Sequence, residues 1–179
     1  MQQEQQQNAT DRGGTAELSG FRVPRIGMGL MALSIEGRPS SREQAIDTIH
    51  AALDAGVRYL DTAWSYYLPS QPGIGAPEDM GYGEFLLRDA LRSWDGPRDE
   101  VLVATKTGFR RTCDASAAFA RGAGSGEDTG RCGDAAASRQ QLQTAGSRYG
   151  WLADSRPETM IRDAKESAQR LGVETLHLL

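Results

Sequence analysis

The chain has 179 residues, a length that makes one domain the default and is ample for a real core. Its formal net charge is -4, so no basic footprint points to nucleic acid or to an anionic membrane surface. No apolar run approaches the ~20 residues that span a bilayer, and the polar, Gln-rich start is no secretory signal. The expectation is a soluble, cytoplasmic protein with no metal site, in which Cys113 and Cys132 are bystander thiols outside any CxxC pair.

Residues 1–16 lack the apolar side chains needed to fold and read as a disordered lead-in, with a domain over 17–179. Leu18 to Val23 reads as a short hairpin with Gly20 near its turn, followed by an apolar strand from Arg25 to Met31 whose glycines leave room beside the backbone. Ser40 and Glu43 make a capping box for a helix with Ile46, Ile49 and Leu53 on its apolar face, and Gly56 ends it. Val57 to Asp61 is a compact strand, and a loop rich in Pro and Gly runs from Ser65 to Pro77. A second helix spans about Glu78 to Trp94, burying Phe85, Leu86 and Ala90, until Pro97 stops it.

Glu100 to Lys106 is a buried strand. Residues 111–150, dominated by Ala, Gly, Ser, Arg and Gln, read as a disordered insertion. A capping box at Ser155 and Glu158 opens a helix with Met160, Ile161, Ala164, Ala168 and Leu171 as its stripe and Gly172 as its cap. Val173 to Leu179 starts another strand.

Helices alternating with short buried strands imply a parallel α/β sheet, either doubly wound or a (β/α)8 TIM barrel. A GxGxxG opening a helix is absent, which weakens the doubly wound nucleotide-binding reading. Asp61 and Lys106 close neighbouring strands, and Tyr66 lies in the loop after Asp61. Parallel α/β folds place ligands and catalytic groups at those strand ends. An ammonium held against a phenol favours the phenolate, and a phenol so tuned can give a proton to a carbonyl oxygen as general acid. Taken singly, an Asp after a strand is more often a cap and a Lys more often solvated. His50, beside an apolar helical face, reads as structural.

Leu60-Asp61-Thr62-Ala63-Trp64-Ser65-Tyr66 resembles the aldo-keto reductase motif, and Val103-Ala104-Thr105-Lys106 resembles that family's lysine strand. Ile26 to Met31 is similar to its first strand. Glu84 to Leu91 and Ala168 to Val173 are similar to its second and third helices. The resemblance runs from Leu18 to Leu179, apart from the insertion. It implies a (β/α)8 barrel and reduction of a small aldehyde or ketone by NADPH, with NADH the other option. It implies Tyr66 as proton donor tuned by Lys106 and Asp61, and Gly29, Leu30, Met31 and Asp61 beside the nicotinamide.

Two departures stand out. The family's catalytic histidine follows the fourth strand, whereas His177 falls within it and reads as a structural strand residue. A TIM barrel takes ~250 residues, so the material here is a partial barrel of about four β/α units. Open edges on such a unit imply self-association. The alternative is therefore a truncated, non-catalytic or regulatory protein on the same scaffold.

Overall fold

Ser19 and Gly20 both take positive φ, 51° and 81°, the backbone of a two-residue hairpin turn whose twist matches its strands. They join β1 (Thr15–Leu18) to β2 (Phe21–Pro24), paired antiparallel from Thr15↔Pro24 to Leu18↔Phe21. The hairpin expected around Gly20 is present, and its first strand begins at Thr15, inside the stretch read as lead-in. The computed structural model describes residues 14–34, 41–68, 79–112 and 150–179. Residues 1–13, both cysteines and most of the expected insertion lie outside the described residues.

Three parallel strands form the centre: β3 (Met28–Gly29), β4 (Tyr59–Asp61) and β5 (Leu102–Ala104), in that order across the sheet. The register sets Gly29 beside Asp61 and Asp61 beside Ala104. A parallel bridge from Ala104 to Leu178 extends the row. The fourth strand expected over Val173 to Leu179 is thus a single bridge. The first strand is also shorter than expected: Ile26 is 74% exposed, and a 3-10 turn occupies Met31–Leu33. One of its glycines is taken up by packing, since a Cβ on Gly27 would stand 2.3 Å from the Tyr59 ring.

Ser41, one residue past the expected cap, accepts from the Gln44 amide at 3.1 Å and opens α1 (Arg42–Asp54). α2 (Tyr82–Ser93) packs against both α1 and α3 (Pro157–Leu171). Alternation along β4 sends Leu60 into the helical layer, where it meets Leu30, Ile49, Leu53, Leu86 and Leu87. Each such side chain contributes about 1.5–3 kcal/mol of burial. Asp61 therefore faces the opposite side of the sheet. His50 is structural, its ring 2.8 Å from the Ala90 carbonyl.

Phe85 does not join the core as expected; it lies outward under the Arg88 guanidinium, 5.0 Å from the ring centre. α3 keeps Leu171 buried and Met160, Ala164 and Ala168 half-buried, as expected, but is rotated slightly from the expected stripe. Its buried residues are Thr159, Asp163, Ser167 and Leu171, while Ile161 is exposed. Hydrogen bonds explain the rotation: Thr107 donates to Asp163 and Thr159 donates to Asp154. Asp154, not Ser155, serves the start of α3, accepting from the Arg156 amide at 3.2 Å. Gly172 ends the helix at φ 71°, as expected.

β6 (Phe109–Thr112) and β7 (Gly150–Ala153) pair antiparallel, so both margins of the expected insertion are ordered as strand. Backbone pairing needs no apolar composition, which is why composition missed it. Among the described residues the sheet does not close on itself. The architecture is a partial α/β unit.

Candidate active site

The shared register of β4 and β5 brings the ends of both strands together. Lys106, two residues past Ala104, reaches back across the sheet. Its ammonium donates to Asp61 Oδ2 at 2.6 Å, to the Thr62 carbonyl at 2.9 Å and to the Tyr66 hydroxyl at 3.3 Å. A lysine ammonium has three donors and no acceptor, so all three are used. Tyr66 accepts in this contact, which leaves its own O–H free to donate elsewhere. The same ammonium stands 5.2 Å from the centre of the Tyr66 ring, within cation–π range.

Burial works against the Lys106 charge, but the hydrogen bonds to Asp61 and Tyr66, and the negative charge of Asp61, outweigh it. The ammonium is held above the ordinary lysine value and stays charged. With 48% of the Lys106 side chain and 30% of the Asp61 side chain exposed, the cluster opens to solvent where a substrate could enter.

Tyr66 is placed from below. The Gly81 amide donates to the Trp64 carbonyl at 2.5 Å and the Gly83 amide to the Tyr66 carbonyl at 3.0 Å. Both amides belong to the start of α2, where the backbone donors lack helical partners. A Cβ on Gly83 would stand 2.8 Å from Tyr66 Cβ and 2.9 Å from Thr62 Oγ1. The helix start can thus lie against the loop only as glycine.

The structure therefore brings Asp61, Tyr66 and Lys106 into one cluster. Of the first-strand residues, Gly29 lies beside Asp61 in the sheet, with nothing within 4 Å of where its Cβ would be. Met31 is exposed. Leu30 is fully buried in the core and meets the site through its backbone, its amide donating to the Asp61 carbonyl at 2.9 Å. His177 lies away from the cluster, its Nδ1 accepting from the Val103 amide at 3.3 Å and its ring 4.6 Å from that of Phe21. Thr62, Gly83 and Glu84 were not foreseen. The Gly81-Tyr82-Gly83-Glu84 run, one glycine before and one inside a first helical turn, is the signal that points to them.

A family model described as the aldo/keto reductase family matches residues 25–179. This chain belongs to the aldo/keto reductase family. It is 35% identical over 91 residues to a 6-dehydroglucose reductase of Novosphingobium aromaticivorans, covering 51% of this chain and 27% of that protein. It is 36% identical over 93 residues to a D-threo-aldose 1-dehydrogenase of Pseudomonas sp, covering 52% of this chain and 24% of that protein. The matched stretch is thus about a quarter of either relative. The fold is shared with a glycerol dehydrogenase structure from Gluconobacter oxydans, with TM-score 0.58 and 24% identity over 92% of this chain and 38% of that one. A holo-form aldo-keto reductase from Bacillus halodurans superposes with TM-score 0.55 at 21% identity, over 92% of this chain and 38% of that one. The family fold is a (β/α)8 barrel, of which the described residues form a part. The names of the Novosphingobium and Pseudomonas relatives denote a reductase and a dehydrogenase. No helix among the described residues is long and apolar enough to cross a membrane.

Proposed function

We propose that this chain carries the proton-delivering part of an NAD(P)H-dependent carbonyl reductase site, with Tyr66 as the acid. The observation behind this is the three-way grip of Lys106 on Asp61, Thr62 and Tyr66. Because the ammonium donates to the phenol oxygen, the phenol proton is directed outward. Asp61 keeps Lys106 charged and oriented, and the positive charge stabilises the phenolate left when the proton departs. A bound nicotinamide would supply the hydride that the carbonyl carbon accepts. Gly29, with open space on the side its Cβ would take, and the exposed Met31 would border that ring together with Asp61. Leu30 would contribute its backbone. The relatives' names denote sugar and polyol chemistry, so glyceraldehyde is the first aldehyde to try.

The test follows NADPH oxidation with glyceraldehyde for the chain and for Tyr66→Phe. General acid catalysis is worth roughly 10²–10⁴ in rate, and a loss of that size is expected in the variant, with NADPH binding retained. Equal turnover in both would remove Tyr66 as the acid. A wild-type chain that neither binds NADPH nor turns over would remove the reading of these 179 residues as an enzyme.

A further inference from the structure

Glu84 is fully buried in the first turn of α2, yet it is a carboxylate with two partners. The Thr105 hydroxyl donates to Oε1 at 2.6 Å, and Arg170 of α3 donates from Nε to Oε2 at 2.5 Å. The Arg170 guanidinium compensates the buried charge, and it also pairs with Glu166 at 3.6 Å. Thr105 is the residue between the end of β5 and Lys106. Its amide is held by the Leu178 carbonyl at 3.1 Å, and its hydroxyl is held by Glu84. The other side of Glu84 is the helix turn whose Gly81 and Gly83 amides carry the Trp64 and Tyr66 carbonyls.

One carboxylate thus ties the strand that bears Lys106 to the turn that bears Tyr66. We propose that Glu84 is a positioning residue, which through Thr105 fixes how closely the Lys106 ammonium approaches Asp61 and Tyr66. A carboxylate suits this task because charge-assisted hydrogen bonds are shorter and stronger than neutral ones. Its burial keeps water from competing. The role rests on the Asp61, Tyr66 and Lys106 reading above for its catalytic meaning, but the contact itself can be tested without turnover.

Lys106 and Lys165 are the lysines of the chain. Selective 15N-lysine labelling therefore gives two side-chain signals, one at the site and one as internal control. In Thr105→Val, which keeps shape and charge but removes the hydroxyl, the Lys106 Nζ titration is expected to move down while Lys165 stays. Thr105→Ser, which restores a hydroxyl, is expected to titrate like the wild type. Glu84→Gln, if it folds, should follow Thr105→Val. A folded Thr105→Val with an unchanged Lys106 titration overturns the proposal. So does Thr105→Ser behaving as Thr105→Val, since the methyl packing would then be what matters. Unchanged Lys106 signals alongside lost turnover in Tyr66→Phe would leave the acid standing and remove only the role of Glu84.

Discussion

Thr62 Oγ1 is buried without a hydrogen-bond partner, alone in this among the described side chains. Leaving such a group unpaired costs about 1–3 kcal/mol. Valine has nearly the same shape, so Thr62→Val is expected to stabilise the chain by about 1 kcal/mol. Urea denaturation measures it, and a lower midpoint would mean that the hydroxyl is engaged after all. The carbonyl of the same residue receives Lys106, so the substitution leaves the site's own contact in place. At this scale the sequence is uneven. Asp61 and Lys106 are legible because each stands at or just past a strand end, where a polar residue interrupts apolar text, and Tyr66 because it follows Asp61 in the loop at the spacing of the resembled motif. Glu84 is not, because an acidic residue in a first helical turn ordinarily reads as a solvated charge near the helix N-terminus. Its partner Arg170 lies 86 residues further on, and no local pattern foretells that pairing.

Helix starts and helix faces are where elements depart from simple periodicity. α3 buries Thr159, Asp163 and Ser167 together with Leu171, the one residue of the expected apolar stripe that is fully inside. Its hydrophobic residues at Met160, Ala164 and Ala168 lie beside that line, one position round the helix, so the helix itself is legible and its rotation is not. Polar partners set the rotation. Asp154 accepts from the Arg156 side chain at 2.7 Å and from the Thr159 hydroxyl at 2.9 Å. The Arg156 hydrogen bonds, with that of Thr159, hold its carboxyl well below the usual carboxylate range. A depressed folded value contributes stability above the ordinary value of 3.8, lost as pH falls through the folded value. Asp154→Asn should therefore be less stable than wild type at neutral pH, with the gap closing only in strong acid. Thermal melts between neutral pH and pH ~2 would check it; a gap constant with pH would assign the effect to lost geometry alone. The contact between α2 and the Tyr66 loop is tight. Gly83→Ala forces a Cβ against Tyr66 and Thr62, and overpacking of this kind costs about 1–3 kcal/mol. Unfolding by urea reads the loss, and an unchanged midpoint would show that the loop yields freely.

The molecule as a whole depends on contacts between its two ends. The order of strands and helices is written in local periodicity, which is why the α/β class is legible without coordinates. What joins the first hairpin to the last segment is not, because the contact spans 158 residues. Ser19 in the hairpin turn donates to the His177 carbonyl at 2.6 Å, and Phe21 packs on the His177 ring. The same ring accepts from the Val103 amide in β5. His177 therefore links hairpin, final segment and central sheet, which gives a strand histidine a reason other than chemistry. Replacing it with leucine removes the acceptor and leaves the Val103 amide unpaired, at a cost of about 1–2 kcal/mol. Amide hydrogen exchange localises such a cost. In His177→Leu, Val103 and the amides of β1 and β2 are expected to exchange about tenfold faster, the equivalent of ~1.4 kcal/mol. The interior of α1, anchored by Ile49 and Leu53 in the helical core, should keep its protection. Faster exchange at Val103 with an unaltered hairpin would mean that β1 and β2 are held by their own pairing and not by the end of the chain.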